Sequence, residues 1–140
     1  MPKKDTDEDI KGQLNAINDS LEEIGEFLDW VISKLRTSVP IHFARFYPAY
    51  RMIDRPPTPA DTLMAAANLA YEKGLEYVYV RNVFIEGLED THCPRCHNAL
   101  ISRYSSNVMN VNLTEKNECP SCGLKIPLVG RPKVPLPKQY

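Results

Sequence analysis

The chain has 140 residues, 43% of them hydrophobic, and a formal net charge of −1. That length allows one modest domain, or a small domain joined to a module held by metal. No apolar run approaches the roughly 18 residues that begin to suggest a membrane span, and the N-terminus lacks the pattern of a secretory signal, so a cytoplasmic location is expected.

The charge is unevenly spread. Residues 1–38 hold five basic and nine acidic side chains, residues 39–92 hold five and seven, and residues 93–140 hold seven and two. A basic C-terminal third suits contact with nucleic acid or an acidic partner, and it equally suits an ordinary solvated surface, because no dense Lys/Arg cluster occurs.

Residues 1–17 are charged and nearly free of apolar groups, which predicts a mobile tail; opening on Met1, it reads as a native start rather than the edge of an excised domain. A helix is expected next. Ser20 is placed to cap it and Glu23 to complete a capping box. Leu21, Ile24, Phe27, Leu28, Val31 and Leu35 then recur at three- and four-residue steps, with Trp30 at the edge of that apolar stripe.

The run Val39 to Pro48 is rich in β-forming residues and apolar on both faces, as in a strand covered on each side. Prolines 48, 56, 57 and 59 make the following segment an irregular loop. Thr58-Pro59-Ala60-Asp61 reads as a helix start, with Thr58 as N-cap and Pro59 at the first helical position. That helix presents a small-residue face through Leu63, Ala66, Ala67 and Ala70 and stops at Gly74. Leu75 to Val80 is the second strand, which completes a βαβ unit. Residues 84–92 read as an acidic loop.

The last third carries the strongest chemical signal. Cys93-Pro94-Arg95-Cys96 and Cys119-Pro120-Ser121-Cys122 are matched C-x-x-C pairs separated by 22 residues, and they contain all four cysteines. Each pair can present two thiolates from one tight turn, and the spacer is long enough for hairpin strands, so the pattern is that of a zinc ribbon with Cys93, Cys96, Cys119 and Cys122 as ligands. Disulfides and a rubredoxin-like iron site are the chemical rivals. Gly123 suits the position after a knuckle. His92 and His97 flank the first pair, but four cysteines already fill a tetrahedron. The proline-rich residues 131–140 are expected to be extended or docked. The expected layout is thus a tail at 1–17, an α/β fragment at 18–90, the ribbon at 91–130 and a second tail at 131–140.

In α/β folds the working groups lie at the C-terminal ends of parallel strands, which singles out Arg45, Tyr47, Arg51, Arg55, Arg81 and Asn82. Arg45, Arg51 and Arg55 can bind an anion or tie their loop to acidic neighbours. Strand alternation places His42 with Ala44 and Phe46 on one face, where a histidine faces a lumen or is a buried, hydrogen-bonded core group. No Gly-rich phosphate loop, Ser/His/Asp set or spare nucleophilic cysteine is present.

Read in order, Ile41-His42-Phe43-Ala44-Arg45-Phe46-Tyr47-Pro48-Ala49-Tyr50-Arg51-Met52, Pro56-Pro57-Thr58-Pro59, Tyr77-Val78-Tyr79-Val80-Arg81-Asn82-Val83 and Thr91-His92-Cys93-Pro94-Arg95-Cys96 resemble the C-terminal part of the radical SAM enzymes of the AmmeMemoRadiSam system, relatives of pyruvate formate-lyase activating enzyme. The resemblance covers about residues 18–130. It implies an α/β class, as a partial (half) radical-SAM-type (β/α) barrel fragment followed by a C-terminal four-cysteine zinc ribbon. His42, Arg45, Tyr47 and Asn82, placed on the strand and at the strand ends, are the expected cofactor-binding residues.

The departures bear on function. The C-x-x-x-C-x-x-C motif that holds a [4Fe–4S] cluster in that family is missing, so the chain is not expected to cleave S-adenosylmethionine alone; the cluster and S-adenosylmethionine enter only if a partner completes the barrel. Tyr47 replaces a histidine and Arg81 a glycine of the family pattern. The expected function is that of a non-catalytic zinc-binding subunit or remnant acting within a larger protein complex. The alternative is a zinc-ribbon protein that associates with RNA, the ribosome or another large assembly.

Overall fold

The computed structural model describes residues 20–136. The elements in chain order are α1 (Leu21–Lys34), β1 (Ile41–Ala44), α2 (Ala60–Glu72), β2 (Val78–Arg81), β3 (Thr91–His92), β4 (Ala99–Tyr104) and β5 (Asn107–Val111). They form a mixed α/β structure with two small sheets. β1 and β2 pair in parallel, Ile41 opposite Val78 and Ala44 opposite Arg81. β3, β4 and β5 form an antiparallel sheet in that order. No barrel is formed among the described residues. The expected tail at 1–17 lies outside them, as do residues 137–140.

The helix α1 starts where expected, with Ser20 as the extended N-cap residue, but the Ser20 side chain makes no capping bond and the capping box is not closed. The first helical bond runs instead from the Ile24 amide to the Ser20 carbonyl, 3.0 Å. The buried face also differs from the expected stripe. Gly25, Leu28 and Val31 are buried, whereas Leu21, Phe27, Trp30 and Leu35 are about half exposed. The helix touches the rest of the fold along one side only, against α2, and a 100° step per residue carries Phe27 and Trp30 around to solvent. Those two rings stack on each other at 6.5 Å.

The helix α2 begins one residue later than expected. Pro59 is its N-cap, and Thr58 does other work: its hydroxyl accepts the Phe46 amide at 3.2 Å, and its own amide donates to the Phe46 carbonyl. The C-terminus closes as a Schellman motif, with the Gly74 amide on the Tyr71 carbonyl and the Leu75 amide on the Ala70 carbonyl. Gly74 has φ 94°, a left-handed value that glycine takes without steric cost. Its sequel Leu75 then turns into the core.

That core joins Leu28 and Val31 of α1, Ile41 of β1, Leu63, Ala67 and Ala70 of α2, and Val78 and Val80 of β2. The small α2 face lets that helix lie close to the sheet. β1 is not covered on both faces as its sequence suggests. Ile41 is buried and Phe43 half-buried, but His42 and Ala44 are exposed. β2 alternates more cleanly, with Val78 and Val80 inward. Its outer edge is met by the following loop through a 2.9 Å bond from the Val80 amide to the Leu88 carbonyl. β1 has no second strand neighbour among the described residues.

A second core lies under the antiparallel sheet and gathers Tyr77, Leu100, Ile101, Leu113 and Ile126 around Cys93 and Cys119. Tyr77 reaches it from the residue before β2, so the two layers share a seam. The start of the C-terminal tail is pinned rather than loose: the Arg131 guanidinium donates to the Leu113 carbonyl at 3.2 Å and also to the Thr114 carbonyl.

Candidate metal centre

Two turns of the same design present the four cysteines. In the first, the Cys93 amide donates to the Asn98 carbonyl at 2.9 Å and the His97 amide to the Cys93 carbonyl at 2.8 Å. In the second, the Cys119 amide donates to the Leu124 carbonyl and the Gly123 amide to the Cys119 carbonyl, both at 2.8 Å. Reversing the chain this tightly needs a left-handed residue after the second cysteine. Those residues are His97, φ 63°, and Gly123, φ 75°. The turns hang from β3 and from the segment after β5, and the hairpin between them sets their separation. That hairpin reverses at Ser105 and Ser106, both with positive φ, as a two-residue type I′ turn requires.

The sulfurs converge across the turns. Cys93 Sγ lies 3.5 Å from Cys122 Sγ, Cys96 Sγ lies 3.5 Å from Cys119 Sγ, and all four lie within 4.8 Å of one another. A disulfide would need about 2.05 Å, and all four thiols are free. A tetrahedron with metal–sulfur bonds of about 2.3 Å has edges of about 3.8 Å. The group fits that size, so it can hold a metal ion such as zinc.

The four thiols perturb one another's protonation. Burial raises the Cys119 thiol, but the backbone amides of Cys122 and Ser121, with the neighbouring thiols, outweigh it and bring the group down to about 7. At Cys96 the Asn98 amide favours the thiolate, yet desolvation and the other three sulfurs push it up to about 12. One thiolate therefore forms readily and opposes the next. Four thiolates this close need a positive ion among them. Neither His92, half-buried in β3, nor His97, exposed, belongs to the group.

The remaining candidate residues separate into two places. Arg45, Tyr47 and Asn82 meet at the C-terminal ends of β1 and β2. The Arg45 Nε donates to the Thr58 carbonyl at 2.7 Å, its Nη1 donates to the Tyr47 hydroxyl at 2.9 Å, and its guanidinium lies 5.0 Å from the Tyr47 ring centre. Asn82, at φ 62°, donates to the Arg45 carbonyl at 3.4 Å. These bonds tie the proline loop to the strand ends, and Arg51 similarly lies over the Tyr50 ring.

His42 sits apart from this cluster. It is exposed rather than a core histidine, and its ring stacks on Tyr79 at 4.8 Å. Partial desolvation, then the charges of Arg81 and Arg103, hold it below the usual histidine value of 6.5. Sequence reasoning picked out Arg81 at the end of the second strand but missed Arg103 altogether. The signal that could have drawn attention to it is the change along β4 from the apolar pair Leu100-Ile101 to the polar pair Ser102-Arg103.

No family model and no solved structure matches the chain. An uncharacterized protein of Methanocaldococcus jannaschii is 43% identical to it over 113 residues, which make up 80% of this chain and 34% of that protein. The chain thus spans about a third of the length of the curated relative it matches. Among the described residues no helix is long and apolar enough to cross a membrane.

Proposed function

We propose that the chain is a zinc-binding protein without catalytic activity of its own, acting as one part of a larger protein assembly. The observation that carries this reading is the closed four-thiol group. With Cys93, Cys96, Cys119 and Cys122 all within 4.8 Å, every position of a tetrahedral zinc is filled and none is left for substrate. Such an ion is structural, and it stabilises a segment too short to build a large core.

Two features support the larger assembly. A parallel sheet of two strands, with His42 and Ala44 exposed on one face, is an incomplete version of a structure that is ordinarily covered on both sides. The relative from Methanocaldococcus jannaschii has about two thirds of its length without a counterpart here. The ordered motifs that resemble radical SAM enzymes give the assembly a chemistry. In this reading the chain is their C-terminal part, and a separate polypeptide supplies the [4Fe–4S] cluster and most of the S-adenosylmethionine site. Pairing along the free edge of β1 completes the sheet.

The test is affinity purification from native cells followed by co-expression of the recovered partner. The proposal expects a partner with a C-x-x-x-C-x-x-C motif and a brown complex that forms 5′-deoxyadenosine under reduction. Recovery of RNA or ribosomes in a salt-dependent manner, without such a partner, contradicts it.

A further inference from the structure

A cleft of about 290 Å³ opens at the seam between the β1–β2 sheet and the ribbon. β1 contributes His42, β2 contributes Tyr79 and Arg81, and the ribbon contributes Arg103 and Ser106, with Glu89 from the connecting loop. Its volume is near the lower end of that of small-molecule sites, roughly 300–1,000 Å³. It is separate from the four-thiol group and from the Arg45–Tyr47–Asn82 cluster.

The charges in this cleft are not balanced internally. The Arg81 guanidinium donates to the Ser106 hydroxyl at 2.7 Å. Arg103 donates through Nη1 to the Glu89 carbonyl at 3.0 Å and to the Thr91 hydroxyl at 2.8 Å. These partners are neutral. The one carboxylate lining the cleft, Glu89, accepts the Ser106 amide at 3.3 Å. Arg103 also lies 5.6 Å from the Tyr79 ring centre, and Tyr79 is fixed in turn by its hydroxyl bond to Thr91 at 2.9 Å. Two guanidiniums are therefore held in place beside a stacked His42–Tyr79 pair, with donor capacity to spare: each guanidinium offers five N–H groups in a planar fork that matches an oxyanion.

We propose that this cleft binds a small phosphate-bearing anion, with Arg81 and Arg103 taking the phosphate oxygens and the His42 imidazole bordering the site. Ser106 holds the Arg81 fork in readiness and is released, or shared, when the anion arrives. An anion there offsets the repulsion that the two arginines exert on a protonated His42, so binding and His42 protonation favour each other. The other ionisable groups lining the cleft are Tyr79 and Glu89; the Glu89 carboxylate offsets one of the two guanidinium charges, and the lining keeps a net positive charge.

The experiment is an NMR titration of the metal-loaded chain with inorganic phosphate and with AMP, adenosine being the neutral control. The His42 ring and the Arg81 and Arg103 side-chain signals report the binding. The expected result is a saturable shift with a dissociation constant on the order of millimolar or tighter, a rise in the His42 titration midpoint in the presence of the anion, and no shift with adenosine. Arg81→Gln should weaken binding about tenfold or more, and Arg81→Lys, which keeps the charge but loses the fork, by a smaller factor. Unchanged metal content, with unchanged amide signals from α1, α2 and β1 in both variants, shows that the fold is retained. The proposal fails if no saturable shift appears with either anion, if adenosine binds as well as AMP, or if Arg81→Gln binds as the parent does.

Discussion

His97 and Gly123 occupy the same position in two successive turns, each four residues after the first cysteine, each donating its amide to that cysteine's carbonyl at 2.8 Å, and each left-handed. One position holds the residue built for that backbone and the other does not. A Cβ on Gly123 meets nothing within 4 Å, so Gly123→Ala loses only the backbone preference, about 1–2 kcal/mol. His97→Gly gains that preference but adds freedom to the unfolded chain, so it should change stability by about 0.5 kcal/mol or less. His97→Val, β-branched, should cost more than Gly123→Ala. Urea unfolding of the metal-loaded variants ranks the three.

Gly25 lies inside α1, where glycine is a poor choice. A Cβ there would sit 3.7 Å from both Leu69 Cδ2 and Lys73 Cε, which is ordinary van der Waals contact. Gly25→Ala should therefore raise stability by about 0.5–1 kcal/mol, seen as a higher urea midpoint with an unchanged slope. A loss of stability would mean that α1 and α2 pack more tightly than their geometry shows.

His42 makes stability depend on pH in a defined direction. Its folded-state value lies below 6.5, because of partial desolvation first and Arg81 and Arg103 second. Above 6.5 the ring is neutral in both states and has no effect. As the pH falls through 6.5 the unfolded chain takes up the proton first, so stability declines until the folded-state value is reached and then levels off. His42→Gln should flatten that part of the profile. Arg81→Gln should move the His42 midpoint only part of the way back toward 6.5, because partial desolvation is the larger cause.

Much of this structure can be read from the chain, and the exceptions share a physical reason. The Gly74 stop, the parallel β1–β2 pair and the convergence of the four cysteines follow from local chemistry: a left-handed cap, a βαβ rhythm and ligand spacing. What cannot be read is which way an apolar surface turns when few elements surround it. Phe27 and Leu28 look equivalent in sequence, yet Leu28 is fully buried and Phe27 is half exposed, because α1 is packed on one side only. Thr58 looks like an N-cap until Phe46, twelve residues earlier, competes for its hydroxyl. The type I′ turn at Ser105-Ser106 carries no glycine to announce it; the Glu89 carboxylate and the Arg81 guanidinium hold it from outside. The His42–Arg81–Arg103 cleft is likewise a product of two layers meeting, which no single segment displays.

Cys96 is half exposed, whereas Cys93 and Cys119 are buried in the ribbon core. Cys96→Ser removes one ligand without opening a core cavity, so its effect should come through the metal. Residues 91–128 should become protease-sensitive while α1 keeps its helical signal in circular dichroism. Retained protease resistance of that segment would contradict a metal-dependent ribbon.

The most direct test is elemental analysis of the purified chain, joined to amide hydrogen exchange before and after chelation. The proposed structural zinc predicts one zinc per chain, with protection across residues 91–128 lost on chelation and protection in α1 and α2 retained. Iron in place of zinc, or full protection of residues 91–128 after the metal has been removed, would contradict a structural zinc at Cys93, Cys96, Cys119 and Cys122.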